Sequence, residues 1–335
     1  MPHPPIFIIS IDFELHWGRF DKADPLKPKN FYKTTQKVIP KILSVFEKYH
    51  IDATWAIVGM IMAKNKKEWK TYAPKIVPGY ANSALSAYNW YENRSIHKKS
   101  LFAPGLVTQI LNTPGQELGS HTFGHFYTME KGQTLPDFMA DLEAAKSISL
   151  KKFNILPISL VFPRNQYNAS YLKSCKEAGF LVIRSNPKNW FWQNPEKETL
   201  LKKIFRTADT LFPVGKKTSF PHSHLTIQKD LPLEIPFSRL LRPKIQYPLL
   251  NNIRLNRIKS EMTEAAKTGE IYHLWWHPHN FGIHPKQNLA DLQTILDHFI
   301  TLKSTYGMIS KNMAGMAKMI MNDQNIFASI HTYNK

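Results

Sequence analysis

At 335 residues and 43% hydrophobic content, the chain is long enough to bury a large core as one unit. Its single cysteine, Cys175, excludes an internal disulfide, and no run of 18 apolar residues is present to span a bilayer. With 44 Lys+Arg against 25 Asp+Glu, the net charge of +19 and pI of about 9.7 create a positive field suited to anionic partners. No basic-then-apolar leader precedes the first apolar run, so the expected location is cytoplasmic.

Ile6 to Phe13 form a near-continuous apolar run, the signature of a parallel strand buried on both faces. Period-two alternation puts Asp12 and Glu14 on one side where the run ends, with His16 in phase behind them. Two acids in so small a volume raise one pKa unless a cation lies between them. Helical spacing follows at Val38, Ile39, Ile42, Leu43, Phe46 and Tyr49, then a second strand at Ala53 to Gly59. Met60 to Pro114, carrying Trp69, Tyr72, Tyr80, Tyr88, Trp90 and Tyr91, is too long for a simple connection and reads as an insertion.

After the Pro114-Gly115 turn, a short strand approaches His121-Thr122-Phe123-Gly124-His125, where Gly119 and Gly124 favour a strand running into a tight loop. Imidazole nitrogen and carboxylate oxygen are ligands of borderline cations, and three protein ligands leave a position for water. Glu14, His121 and His125 supply such a set. Thr134 to Asp137 reads as a capping box opening a helix. Leu156 to Phe162 is another apolar strand, ending in Pro163-Arg164-Asn165-Gln166, where a guanidinium could lock a carboxylate. Asn168 caps a helix that carries Cys175 as a core residue and stops at Gly179. Pro187 to Asn252 reads as a second insertion, its aromatics available for packing or for stacking on sugar rings. Ile271 to Trp276 then runs into His277-Pro278-His279-Asn280, and Asn288 is expected to cap the last long helix.

Four strands thus end in ionisable side chains, the pattern of an α/β barrel with working residues at the C-terminal rim of its strands. Asp12-Phe13-Glu14, His121 to His125, Phe162-Pro163-Arg164-Asn165 and Trp276-His277-Pro278 resemble, in order and rough spacing, the motifs of the polysaccharide deacetylases, the NodB-homology family or carbohydrate esterase family 4. The resemblance covers about residues 6 to 310. It implies a distorted (β/α)7 barrel as a single domain over 1–310, with insertions at about 60–114 and 187–252 over the mouth and a C-terminal tail at 311–335.

The same resemblance implies one divalent metal, zinc first among the transition metals, and hydrolysis of an N-acyl group, acetyl or formyl, on an amino sugar. Asp12 takes the role of general base, Glu14, His121 and His125 those of metal ligands, Arg164 orients the base, and His277 is the general acid. Trp17, Asn165, His279 and Asn280 are the expected substrate contacts. His279 is a rival for the acid role and His16 a rival ligand. The first motif departs from the commoner pair of adjacent aspartates. Ile183-Arg184-Ser185-Asn186-Pro187 lacks the aspartate that usually tunes the acid histidine, which leaves Glu234 and Asp209 as candidates.

With the positive charge, the expected substrate is phosphate- or lipid-linked, in surface-polysaccharide or glycolipid biosynthesis, with peripheral contact to an anionic leaflet at the inner membrane face. The alternatives are a metal-free module of the same fold that binds sugar or opens a cyclic amide, and a basic nucleic-acid-binding protein. Scattered basic residues and the absence of a recognisable nucleic-acid motif speak against the last.

Overall fold

The computed structural model describes residues 3–22, 31–92, 100–195 and 197–323. Among the described residues, nine strands form one sheet: β1 Ile6–Phe13, β2 Ala53–Ile57, β3 Gln116–Ser120, β4 Ser159–Leu160, β5 Val182–Ser185, β6 Leu233–Pro236, β7 Arg239–Leu240, β8 Ile271–Trp276 and β9 Ile309–Lys311. Their pairings are parallel, in the order β6-β5-β4-β3-β2-β1-β8-β7, with β9 against the first half of β1. The two ends of this path are consecutive in the chain. Phe237 N donates to Ser185 O at 3.0 Å and Ser238 N to His273 O at 2.7 Å, so the sheet curls until β6 and β7 are bridged by two residues. The result is the expected distorted α/β barrel.

Strand alternation sorts the barrel into an outside and a graded inside. Phe7, Ile9, Ile11 and Phe13 of β1 pack outward with the flanking helices, while Ile6 and Ile8 point inward to meet Val182, Ile235, Ile271 and Met313. On that inward phase, polarity rises along the strands. Ile6 and Ile8 give way to Ser10 and Asp12 on β1, Val182 to Arg184 on β5, and Ile271 to His273 and Trp275 on β8. The bottom of the barrel is therefore an apolar plug, and its C-terminal rim is where charge collects.

Several local expectations hold. The Thr134 capping box opens the helix Leu135–Phe153, and Asn168 caps Ala169–Glu177. Others differ. The stretch 187–252 is not only insertion, because it contributes β6 and β7, strands too short to show a period. The tail begins late: β9 and the helix Met313–Asp323 pack on the sheet through buried Met313, Met316, Ala317 and Ile320, while 324–335 lie outside the described residues. Between 60 and 114, three short helices are described, Lys66–Tyr72, Ala87–Glu92 and Pro104–Asn112, while 93–99 lie outside the described residues. Asn288 is no cap. The last long helix is Pro285–Tyr306, and the Asn288 side chain inside it ties down two loops, accepting from Lys244 N at 2.7 Å and donating to Ile283 O at 2.7 Å.

Candidate active site and metal centre

Glu14 follows the last residue of β1 and is almost wholly buried. A Cβ on Gly18 would lie 1.7 Å from Glu14 Oε2, so the 3-10 turn Leu15–Gly18 can fold back over the carboxylate only because residue 18 has no side chain. Around Glu14 Oε1 stand three imidazole nitrogens: Nε2 of His121 at 3.1 Å, of His125 at 3.3 Å and of His277 at 3.4 Å. Burial opposes the Glu14 charge, yet His277, His121 and His125 together hold its carboxyl well below the usual range.

The His loop is built for this. Thr122 and His125 adopt left-handed φ of 62° and 54°, reversing the chain after β3 so that both rings return over β1. Asp141, from the helix Leu135–Phe153, accepts from Phe123 N at 2.5 Å, Gly124 N at 3.0 Å and the Tyr88 hydroxyl at 2.6 Å. Burial raises the Asp141 pKa to about 6 although all three donors oppose the shift.

His121 carries the test for a cation. Its Nδ1 lies 2.8 Å from Val161 O, and a carbonyl only accepts, so Nδ1 bears a proton and Nε2 is turned to Glu14; with the ring neutral, as a metal ligand requires, Nε2 presents a lone pair. That lone pair faces a carboxylate oxygen, an arrangement stable only with a proton or a cation between them. Ligands bonded at about 2.0–2.2 Å to one tetrahedral ion lie ~3.4 Å apart, close to the observed separations. The backbone carbonyl behind Nδ1 is the usual outer partner of a metal-binding imidazole. Glu14, His121 and His125 therefore fit a divalent ion. His125 adds a ring that burial keeps neutral.

Asp12, two residues back on the same inward face, has a different neighbourhood. Arg184 of β5 grips it in a two-pronged bond, Nη1 to Oδ1 at 2.6 Å and Nη2 to Oδ2 at 2.7 Å. Burial raises the Asp12 pKa and Arg184 more than reverses this, leaving it lowered. The guanidinium is itself fixed from four sides. Ser10 Oγ accepts from Nη1 at 3.1 Å, Asn165 Oδ1 accepts from Nη2 at 3.0 Å, and the Trp275 ring lies 4.1 Å away. His273 completes the scaffold. Its Nδ1 donates to Pro236 O at 3.2 Å and its Nε2 accepts from Ser10 Oγ at 2.8 Å, with the ring kept neutral by burial and by Arg184, its pKa near 3.

Among the sequence-selected residues, Asp12, Glu14, His121, His125 and His277 converge. His277 Nε2 also lies 3.7 Å from Asp12 Oδ2, and although burial opposes its charge, Glu14 and then Asp12 shift its pKa upward. His279 packs beside it at 4.8 Å between ring centroids and, buried next to His277, is driven to a pKa of about 3. Asn280 lines the same cavity.

Five expectations are corrected. Arg164 does not touch Asp12; a left-handed φ of 57° turns it outward to Asp21 at 2.7 Å and Glu130 at 2.8 Å, over the Tyr127 ring. Asn165 serves Arg184 instead of standing free for substrate. Trp17 is fully buried, donating to Leu101 O at 2.8 Å among Trp90, Tyr91 and Phe102. His16 lies in that aromatic layer too, 5.3 Å from the Tyr32 ring and 5.0 Å from Trp90. Asp209 is bound to Arg239 and Arg257 and Glu234 meets Tyr167, whereas the carboxylates beside His277 among the described residues are Asp12 and Glu14. The residues missed were Arg184, Ser10 and His273. Their signal was polarity on the inward phase of otherwise apolar strands.

The cavity beside Glu14 has a volume of about 360 Å³, and its lining includes His125, His277, His279 and Asn280 together with Arg19, Arg164 and Arg242. Arg242 is held by the Thr210 hydroxyl at 2.9 Å, and neither it nor Arg19 has a carboxylate partner among the described residues.

Residues 20–183 match the family model described as polysaccharide deacetylase. A structure from Mycobacterium smegmatis described as a polysaccharide deacetylase superposes with a TM-score of 0.62 at 11% identity, over 97% of this chain and 92% of that one. One from Pseudomonas aeruginosa PAO1 with the same description gives 0.59 at 10% identity, over 96% and 95%. PuuE allantoinase gives 0.57 at 11% identity, over 96% and 94%. At these identities the superpositions speak for the fold. No curated protein matches the chain in sequence.

Proposed function

We propose that this chain, a member of the polysaccharide deacetylase family by its residues 20–183, is a metal-dependent hydrolase that removes an N-acyl group from an amino sugar carrying an anionic substituent. Membership places it with hydrolases of non-peptide C–N bonds. The reading of metal dependence rests on one observation above all, the convergence of the buried ligand atoms of Glu14, His121 and His125, with the His121 Nε2 aimed at the carboxylate.

Glu14, His121 and His125 would hold a divalent ion, which would supply Lewis acidity at the acyl carbonyl and make water more acidic, with a pKa of about 7. The protein does the rest. Arg184 keeps Asp12 ionised and oriented, with lone pairs left on both oxygens to take the proton of an attacking water. His277 Nε2, between Asp12 and Glu14, is held in its protonated form by those two carboxylates and gives that proton to the leaving nitrogen. Each such acid or base contributes about 10²–10⁴-fold. The anionic substituent is read from Arg19 and Arg242, two cations on the cavity wall without carboxylate partners among the described residues. The cavity volume falls within the range of about 300–1,000 Å³ typical of small-molecule sites.

Mass spectrometry on N-acetyl and N-formyl amino sugars, with and without phosphate, decides the matter when run with and without chelator. Loss of acyl mass that disappears with chelator and returns with zinc is the expected result. Turnover untouched by chelator, or confined to cyclic amides, overturns it.

A further inference from the structure

The helix Leu200–Ala208 has its polarity reversed. A surface helix ordinarily buries its apolar stripe and exposes its charges. Here Lys202 is only 8% exposed, its Nζ donating to Gln193 O at 2.7 Å and Asn194 O at 2.9 Å, and Arg206 reaches inward to Phe191 O at 2.8 Å and lies over the Trp192 ring. Leu200, Leu201 and Ile204 face out, 74%, 54% and 53% exposed. Neighbouring segments extend the face with Trp190 at 47%, Phe212 at 52% and Val214 at 41%. The cations are spent fixing the helix to its own loop, and the greasy side is left without a partner among the described residues. An apolar face of this kind marks an interaction site.

Charge selects the partner. Lys188, Lys197, Lys203 and Lys216 are exposed in the same stretch and have no carboxylate partner among the described residues, whereas Glu198 and Asp209 are in ion pairs with arginines. A second copy of a chain with net charge +19 would bring like charge to like charge. The apolar groups also protrude from a helix and two loops instead of lining a groove, which suits a fluid surface better than a fixed partner. Exposed lysines interspersed in sequence with exposed Leu, Ile, Phe and Trp are the composition of elements that lie in the interface of an anionic bilayer.

We infer that the face formed by Trp190, Leu200, Leu201, Ile204, Phe212 and Val214 seats this protein on an anionic lipid bilayer. The cavity is close by. Arg242, on its wall, bonds the Thr210 hydroxyl two residues past the end of the helix, which is itself about 12 Å long. Docking there brings the cavity near lipid-borne substrate.

The test is co-sedimentation of the full chain with phosphatidylcholine vesicles, with and without phosphatidylglycerol. Binding only to the anionic vesicles, weakening with salt, is expected. The triple variant Leu200→Ser/Leu201→Ser/Ile204→Ser, changed only at exposed positions, should keep its circular dichroism and lose binding by about tenfold or more. No sedimentation of the wild type, or equal sedimentation of the triple variant as adsorption by net charge alone would give, overturns the inference. So does a wild-type dimer that light scattering shows to become monomeric in the triple variant. Binding is read without turnover, so the result stands apart from the deacylation reading.

Discussion

The two halves of the site start from the same strand and end in opposite chemistry. Asp12 and Glu14 are two residues apart on the inward phase of β1, both nearly fully buried. Asp12 meets donors. Arg184 satisfies both its oxygens in a planar fork that is in turn braced by Ser10, Asn165 and Trp275. Glu14 meets ring nitrogens, one of which, His121 Nε2, is aimed at it by the bond of Nδ1 to the carbonyl behind the ring. Asp12 is completed by a protein guanidinium, whereas Glu14 with His121 and His125 needs a proton or a cation between the converging atoms. A buried carboxylate gripped by such a fork suits a scaffold or a base; one facing imidazole nitrogens can serve as a ligand.

The sharpest way to break that contrast is to remove one imidazole from each role. His121→Ala should abolish tight metal binding by elemental analysis, and activity with it. His277→Ala should retain the metal while turnover falls about 10²–10⁴-fold. Equal metal loss in the two variants would dissolve the distinction between ligand and acid.

A second experiment sets Arg184 against Arg164. Arg184→Met leaves Asp12 buried without its partner and should cost about 3–5 kcal/mol in denaturant unfolding, with activity lost. Arg184→Lys should recover only part, because a single ammonium cannot make the two-pronged bond. Arg164→Met breaks a quarter-exposed pair with Asp21 and Glu130 and should change stability by about 1 kcal/mol or less. If Arg164 proved the costlier of the two, Asp12 would not depend on the fork as described.

Which arginine does this was hidden in the sequence for a physical reason. Arg164 stands where an apolar strand stops, the place where rim chemistry is expected, but Arg164 and Asn165 both take left-handed φ and swing the guanidinium out. Arg184 sits inside a strand, where sequence reading looked for an aspartate. Strand phase was legible for Asp12 and Glu14, and it failed one step later. Leu15, with φ of 48°, breaks the alternation, so His16 and Trp17 enter the aromatic layer instead of the site. The His121–His125 loop and the His277 strand end were legible because their residues are neighbours in the chain. The reversed helix was not, since an amphipathic period gives the stripe and says nothing of which side meets the protein.

The loop that delivers the imidazoles gives a prediction of middle size. Asp141→Asn keeps the shape and one acceptor oxygen but turns an amide N–H toward the Gly124 N–H, and should cost about 1–3 kcal/mol. The pH dependence fixes the sign. The folded-state pKa of Asp141, about 6, lies above its ordinary 3.8, so its favourable contribution is fullest below that ordinary value and is lost as pH rises through about 6. The melting-temperature advantage of wild type over Asp141→Asn should therefore widen as pH falls from 7 toward 4. A gap that narrows over that range would mean that the buried carboxylate prefers its charged form, with the three donors outweighing desolvation.

The smallest expected effect tests the wall of the cavity. Arg242 is anchored by Thr210, and burial with the nearby Arg206 and Arg239 lowers its pKa, so it stands among cations with no carboxylate of its own. An anionic substituent on the substrate would be its natural counterion, giving a charge-assisted bond of about 1.5–3 kcal/mol at most. Arg242→Gln keeps a donor beside Thr210 and removes the charge. KM for a phosphorylated N-acyl amino sugar should rise about tenfold while kcat stays within a factor of two to three, the signature of lost uniform binding, and the neutral sugar should be unaffected. An equal rise for both sugars would make Arg242 a wall of the cavity and nothing more, because only a charge-specific contact distinguishes the two.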